Sequence, residues 1–235
     1  LAFAAWREVG YRSIPQLNLA CSGLAIGVTK VEWLKLAEKV VTAADPAAKR
    51  DLLGVEKNLL TVGLEERVKN GLEALYDLFA KAPWLGSLID PRRAGGDIFR
   101  EGFDKLEPLL ASILAADDTD DAREMAVAAQ GMAKAAENLS RRYTLVATNV
   151  PYLGLRRQHD VIKEYCDRYY SAEKEDIAAA FISRMSNWAA GTTAAVVSPQ
   201  NWFYQYRYRH FRAKILKESQ VKFVGRLGEG GFQSS

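Results

Sequence analysis

The spacing of apolar residues changes twice along this chain of 235 residues and divides it into three segments. Residues 1–27 read as the end of a helix, stopped at Gly10, followed by a strand over residues 17–26. Residues 28–142 have helical periodicity, whereas residues 143–235 alternate between strand-like and helical runs. These patterns predict an α/β core that is interrupted by a large, mostly helical insertion.

The helical segment begins with a capping box, in which Thr29 is followed three residues later by Glu32. Apolar residues at helical spacing predict helices over residues 64–82, 103–116 and 121–139, and the Gly- and Arg-rich residues 84–103 are predicted to form an irregular connection. The segment contains no chemical motif, so its role is left open between shaping a cleft and contacting another domain.

The last segment has the strand, helix, strand order that is typical of a parallel sheet. Its β-branched runs predict strands over residues 143–148 and 192–197, with helices over residues 160–170 and 174–188 between them. The aromatic and basic residues 202–212 are predicted to be helical, with Tyr204, Tyr208, Phe211 and Ile215 on one face.

Both predicted strands end in polar turns. The first is followed by Asn149-Val150-Pro151-Tyr152 and the second by Ser198-Pro199-Gln200-Asn201-Trp202. Ligands of open α/β sheets bind at the carboxyl ends of the strands. The two turns are therefore expected to face one region, where the chemistry should lie.

The turn Asn149-Val150-Pro151-Tyr152 resembles the Asn-Pro-Pro-Tyr motif of DNA amino-methyltransferases. The runs at residues 176–181, 197–203, 208–216 and 226–232 are similar to the same region of adenine-specific DNA methyltransferases of the BREX (phage growth limitation) type. This resemblance covers residues 143–232 and implies a partial Rossmann-like, S-adenosylmethionine-dependent methyltransferase sheet. Both ends of the chain interrupt structured elements, so we expect an internal fragment of the enzyme.

The resemblance implies transfer of a methyl group to the exocyclic amine of adenine in double-stranded DNA, in restriction-modification or phage defence. Asn149, with a backbone carbonyl of Val150 or Pro151, would accept the two hydrogens of the amine, and Tyr152 would stack on the flipped base. This positioning requires no acid, metal or covalent nucleophile. The family's glycine-rich cofactor loop precedes the first helix and is not found here, so the residues that bind S-adenosylmethionine are unknown and the fragment alone is expected to be inactive.

One residue departs from the family pattern, because the usual first proline of the motif is Val150. Valine keeps the carbonyl acceptor but is expected to leave the turn less rigid. A catalytically degenerate DNA-binding or assembly module of a phage-defence complex is the alternative interpretation.

Charge is distributed unevenly, with 15 Lys and Arg against 8 Asp and Glu in residues 141–235 of a chain whose net charge is +3. A basic segment suits the phosphates of DNA, although solvated loops and helix faces explain such charges equally well. The candidate DNA-binding residues are Arg156, Arg157, Gln158, Gln200, Asn201, Trp202, Arg207 and Arg209. Other phage-defence proteins are the further partners that the resemblance suggests.

The remaining polar residues predict no second site. Cys21 and Cys166 are expected to be packed, reduced thiols, and neither they nor His159 and His210 have the spacing of metal ligands. No apolar run reaches the length of a membrane span, and a cytoplasmic location is expected.

Overall fold

A computed structural model describes residues 7–8, 10, 18–23, 25–35, 59–95, 120–189, 191 and 193–228. The chain divides into two compact units, Leu1–Arg141 and Arg142–Ser235. Each unit is described by itself below.

The α-helices of the first unit are α1 (Leu59–Phe79), α2 (Ala82–Leu85), α3 (Pro91–Gly95) and α4 (Asp120–Ser140), with a further helical segment at residues 30–35. The second unit contains β1 (Leu145–Asn149), α5 (Asp160–Tyr169), α6 (Ile177–Trp188), β2 (Thr193–Val197) and α7 (Arg209–Glu218). Short 3₁₀ helices lie at Gly86–Leu88, Leu155–Arg157, Gln200–Phe203 and Tyr206–Tyr208.

The first unit is held together by apolar stripes on its helices. In α1 the buried residues Leu72, Leu75 and Phe79 recur at helical spacing. Helix α4, whose buried stripe is mostly alanine, packs against α1. The Trp33 side chain is fully buried, and its indole Nε1 donates a hydrogen bond of 2.8 Å to the Leu72 carbonyl. That bond satisfies the one polar atom of the ring in the core.

The capping box at the start of the helical segment is confirmed. The Thr29 backbone N donates to Glu32 Oε2 at 2.9 Å, and the Glu32 backbone N donates to Thr29 Oγ1 at 3.3 Å. These bonds satisfy backbone donors that have no partner within the helix.

Two sequence predictions for the first unit are wrong. Residues 18–23 and 25–28 form no strand; the Asn18 carbonyl instead accepts a hydrogen bond from Asn138 Nδ2 at 3.1 Å. The predicted irregular connection after Pro83 begins with helical turns, because Pro83 lies in the first turn of α2, where a proline costs no hydrogen bond. The predicted helix over residues 103–116 and most of the predicted helix over residues 1–9 lie outside the described residues.

The second unit contains both predicted strands of the last segment, and they pair in parallel as the strand, helix, strand order indicated. Leu145 pairs with Thr193 and Asn149 pairs with Val197, so the two strands end at the same edge. Gly191, with φ of 79°, forms the turn from α6 into β2, where a side chain would be strained. A larger Rossmann-like sheet, and the boundaries of the three predicted segments, stay predictions.

The core of the second unit joins α6, β2 and α7. Ala179 and Ile182 of α6 pack with Tyr208, Phe211 and Ile215, and Val196 and Trp202 cover this cluster. The buried residues Phe211 and Ile215 confirm the predicted apolar face of the last helix. The prediction was wrong for Tyr204, whose side chain is 62% exposed because two 3₁₀ turns replace the first helical turns there.

Candidate active site at the strand ends

Asn149 is the last residue of β1, and its side chain is exposed at the carboxyl end of the strand. Val150 follows with its side chain buried, and its backbone N donates to the Val197 carbonyl at 3.2 Å. Proline has no N–H and would lose this bond. Valine therefore extends the pairing between the strands by one bond, and a less rigid turn than with proline stays a prediction.

Tyr152 lies beside Asn149 and shares a hydrogen bond with it. The Tyr152 hydroxyl donates to Asn149 Oδ1 at 2.9 Å, and the tyrosine side chain is 49% exposed. The bond holds the amide oxygen in a defined direction and leaves part of the phenol ring open to solvent. Asn149 Oδ1 has two lone pairs, so it can accept a second hydrogen bond at the same time.

The chain after the turn is fixed to the start of α6. The Ile177 backbone N donates to the Leu153 carbonyl at 3.1 Å, and Gly154 forms an isolated antiparallel bridge with Asp176. Asp176 also caps α6, because its Oδ1 accepts from the Ala178 backbone N at 2.9 Å. The two ends of the turn are thus anchored, one to β2 and the other to α6.

The turn after β2 is anchored by Trp202 and Arg212. Trp202 Nε1 donates to Ser198 Oγ at 3.0 Å, and its ring meets Phe211 edge-on with ring centroids 5.3 Å apart. Arg212 Nη1 donates to the carbonyls of Trp202 at 2.8 Å and Gln205 at 2.7 Å. These contacts fix the backbone of the 3₁₀ turn that carries Asn201.

A second asparagine and tyrosine pair lies on this turn. The Tyr204 hydroxyl donates to Asn201 Oδ1 at 3.1 Å, with the same separation of three residues as in the pair of Asn149 and Tyr152. Because Asn149 and Val197 are in register, both pairs follow strand ends at one edge of the sheet.

Four arginines that follow the two strands are exposed, three on 3₁₀ turns and one at the start of α7: Arg156, Arg157, Arg207 and Arg209. The Arg209 guanidinium lies over the Tyr206 ring at 4.4 Å, and Arg207 lies over the Tyr208 ring at 5.1 Å and 4.0 Å from a carboxylate oxygen of Glu175. Stacked guanidinium groups keep N–H donors free for phosphate oxygens. The surroundings of the two turns therefore suit a polyanion.

With this geometry in place, comparisons with known proteins show the family. Residues 32–231 match the Eco57I restriction-modification methylase family. The chain belongs to this family. It is also 24% identical over 96 residues to the adenine-specific methyltransferase PglX of Lacticaseibacillus casei (strain Zhang), an alignment that covers 40% of this chain. The aligned part spans 8% of the length of that relative.

Among the sequence-predicted site residues, the strand ends bring Asn149, Pro151 and Tyr152 together on one turn and Gln200 and Asn201 on the other. Gln158 does not belong with them as a DNA-binding residue. Its side chain is buried, and its Nε2 donates to the Leu153 carbonyl at 3.0 Å. Trp202 is likewise a packing residue, since its indole N–H and its ring are both engaged within the unit.

Three features of the edge were missed from the sequence. They are the hydrogen bond from the Val150 backbone N, the two hydrogen bonds from Arg212 to backbone carbonyls, and the exposure of the Tyr204 ring. All three depend on where the chain turns in three dimensions. A signal for Tyr204 was present in the sequence, because Asn201 and Tyr204 repeat the spacing of Asn149 and Tyr152.

The two thiols differ from each other. Cys166 is buried as expected, and burial is the main cause that raises the pKa of its thiol to about 12, so it is protonated at neutral pH. Cys21 is exposed, contrary to the expectation that both thiols are packed. Within the described ranges, no group of three or more His, Cys, Asp or Glu side chains lies close enough together to hold a metal ion. No described helix is long and apolar enough to cross a membrane.

Proposed function

We propose that this chain is part of an adenine-specific DNA methyltransferase of the BREX type, which transfers a methyl group from S-adenosylmethionine to the exocyclic amine of adenine in duplex DNA. The observation that carries the proposal is the exposed Asn149 amide at the end of a parallel strand, with the Tyr152 ring beside it. Membership of the restriction-modification methylase family and the similarity to PglX support it.

The chemical task at this site is to orient a weak nucleophile. The lone pair of the adenine amine is delocalised into the ring, so the amine must be held toward tetrahedral geometry before it attacks. Asn149 Oδ1 accepts one amine hydrogen while it keeps the hydrogen bond from Tyr152, because an amide oxygen has two lone pairs. A backbone carbonyl of Val150 or Pro151 accepts the other hydrogen. Both acceptors are fixed before the base arrives, which lowers the cost of ordering the reactants.

The aromatic ring of Tyr152 supplies the second element of the site. A base must leave the duplex to reach an enclosed active site, and it loses its stacking partners when it does so. The half-exposed Tyr152 ring replaces one of them. Its hydroxyl keeps the ring and the Asn149 amide in a fixed relation.

We assign the binding of the methyl donor, S-adenosylmethionine, to none of the described residues. A dinucleotide-type loop places glycines between a strand and the following helix. The glycines with positive φ in the described parts, Gly10, Gly86, Gly191 and Gly228, all lie elsewhere. When bound, S-adenosylmethionine supplies a methyl group activated by its positively charged sulfur.

Contact with DNA is proposed for Gln200 and Asn201 at the strand end and for Arg156, Arg157, Arg207 and Arg209 around it. The four guanidinium groups are exposed, and they lie on the 3₁₀ turns at Leu155–Arg157 and Tyr206–Tyr208 and, for Arg209, at the start of α7. Phosphate contacts of this kind position a duplex without reading its sequence. We therefore expect these arginines to set affinity and salt dependence rather than target choice.

The test is transfer of a labelled methyl group from S-adenosylmethionine to duplex DNA by the full-length protein, followed by chromatographic separation of the digested nucleosides. The proposal predicts label in N6-methyladenine. Label in a cytosine derivative would refute adenine specificity. No transfer at all, with partner proteins of the defence system supplied, would favour the alternative, a DNA-binding or assembly module without catalytic activity.

A further inference from the structure

The turn after β2 has a side-chain arrangement that the proposed methyl transfer does not use. Asn201 and Tyr204 repeat the hydrogen bond of Asn149 and Tyr152: a tyrosine hydroxyl donates to the amide oxygen three residues before it, at 3.1 Å in one pair and 2.9 Å in the other. Both tyrosine rings are exposed, Tyr204 at 62% and Tyr152 at 49%.

The packing of the turn does not require this pair. Trp202 and Tyr208 attach the turn to the core through buried or half-buried rings, and Arg212 holds its backbone carbonyls. The hydrogen bond between Tyr204 and Asn201 is exposed, and bonds of this kind contribute little to stability. The pair is therefore available for a ligand.

The chemistry of the pair fits a nucleobase. In the described structure the Asn201 Nδ2 group makes no hydrogen bond, so it can donate to an acceptor on a base edge. The exposed Tyr204 ring offers a face on which a base can stack. The exposed ring of Phe203, stacked on Trp202 with centroids 3.9 Å apart, adds a second apolar face next to it.

The position of the pair on the sheet indicates which nucleobase of the DNA it would bind. The parallel register aligns Asn149 with Val197, and Asn201 follows Val197 by four residues at the same edge of the sheet. Because the two strands end in register, a nucleotide held there would lie near the one held at Asn149. The exposed Arg209 guanidinium, which lies over the Tyr206 ring at 4.4 Å, belongs to the same segment and could bind a backbone phosphate of that nucleotide.

We propose that Asn201 and Tyr204 form a second nucleobase subsite, which binds the base next to the target adenine on the same strand. This inference rests on the proposed function, because it presumes that the first pair holds the target. The subsite makes Asn201 and Tyr204 positioning residues, which fix the register of the strand and the choice of flanking base.

The test combines protein and DNA changes in a double-mutant cycle with the full-length protein. Binding of a duplex with the intact site is compared with binding of two duplexes in which either base flanking the target adenine is removed. The proteins are the wild type, Tyr204→Leu, Tyr204→Phe and, as a matched exposed tyrosine, Tyr206→Leu.

We expect loss of one flanking base to weaken binding to the wild type about 5- to 150-fold, the range for one stacked base. Tyr204→Leu should bind the intact duplex more weakly than the wild type by the same factor. Its affinity should not fall further when that flanking base is removed. Tyr204→Phe and Tyr206→Leu should respond to base removal as the wild type does.

Equal losses in the wild type and Tyr204→Leu, or no loss in the wild type at either position, would overturn the subsite. If the wild type still methylates the intact duplex in that case, the proposed function stands. Absence of methylation by the wild type would overturn the proposed function and the subsite together.

Discussion

The strand ends and the interior of the second unit use polar side chains in opposite ways. At the strand ends, Asn149 pairs with Tyr152 across three residues, and both side chains are exposed. In the interior, Glu173 is 1% exposed and its Oε1 accepts from Ser183 Oγ at 2.5 Å and from Lys214 Nζ at 2.6 Å. The first arrangement is local and open, whereas the second joins the turn before α6, which carries Glu173, to Lys214 of α7, 41 residues later.

This difference separates the two tasks of the unit. Exposed hydrogen bonds exchange readily with water and add little to folding, so their side chains can be given to a ligand. A buried carboxylate without its partners is costly, so the Glu173 cluster is committed to structure. We therefore expect changes at the strand ends to affect activity and changes at the Glu173 cluster to affect stability.

The largest effect is expected for Asn149→Ala. Removal of one fixed polar group that stabilises a transition state typically lowers the rate about 100- to 1000-fold. The melting temperature should stay close to that of the wild type, because Asn149 is exposed and its substitution changes stability by about 0.5 kcal/mol at most. Single-turnover methylation and thermal unfolding of the same preparation measure both. Retention of the full methylation rate would show that Asn149 has no catalytic role.

Two substitutions of Tyr152 separate the role of its ring from the role of its hydroxyl. Tyr152→Leu loses the ring and should weaken binding of duplex DNA about 5- to 150-fold. Tyr152→Phe keeps the ring and loses only the hydrogen bond to Asn149 Oδ1, so it should bind DNA within a few-fold of the wild type. Equilibrium titration of a labelled duplex measures both constants. Equal weakening in the two variants would mean that the hydroxyl, and not the stacking face, is what binding needs.

Lys214→Met tests the structural side of the comparison. It removes the cation next to the buried Glu173 carboxylate and should destabilise the contact between α6 and α7 by about 1–3 kcal/mol, reduced from the value for a fully buried pair because Lys214 is 36% exposed. Lys163→Met, which removes an exposed ion pair with Asp160, should leave stability close to that of the wild type.

Hydrogen exchange of peptides from α6 and α7 in the full-length protein measures this difference. Exchange in both helices should accelerate in Lys214→Met and stay unchanged in Lys163→Met. Similar exchange in the two variants would show that the buried cluster does not hold these helices together.

The smallest effect is expected for Val150→Pro, which restores the usual residue of the motif. The variant loses the hydrogen bond from the Val150 backbone N to the Val197 carbonyl, and a proline in place of a bonded N–H costs about 1 kcal/mol or more. The melting temperature should fall, whereas Val150→Ile, which keeps the N–H, should cost less. A higher melting temperature in Val150→Pro would show that this bond is unimportant for the turn.

Much of the second unit was predictable from local pattern. The β-branched runs around Val146 and Val196 and the helical stripe through Phe211 and Ile215 follow from spacing alone. Exact turns were not predictable, because Tyr204 has the helical spacing of a core residue and is exposed only because the backbone forms two 3₁₀ turns. Gln158 follows two exposed arginines in the sequence, but its amide bonds to the carbonyl of Leu153, five residues before it, and to that of Lys174, 16 residues after it.

In the first unit the prediction of a strand over residues 17–26 was wrong for a similar reason. An apolar run becomes a strand only where another strand can pair with it, and the Asn18 carbonyl instead bonds to a side chain from α4. The Asn149 turn and the runs that follow it indicated a DNA methyltransferase, and residues 32–231 match a restriction-modification methylase family, whereas the BREX type stays a prediction.

The most direct test of the account is whether Asn149 senses the amine of the target adenine. Duplexes with adenine, or with purine lacking the 6-amino group, are bound to the wild type and to Asn149→Ala. We expect loss of the amine to weaken binding to the wild type about 2- to 10-fold more than binding to Asn149→Ala, because the variant lacks the Asn149 acceptor and keeps only the backbone carbonyl. Equal effects on the two proteins would contradict it.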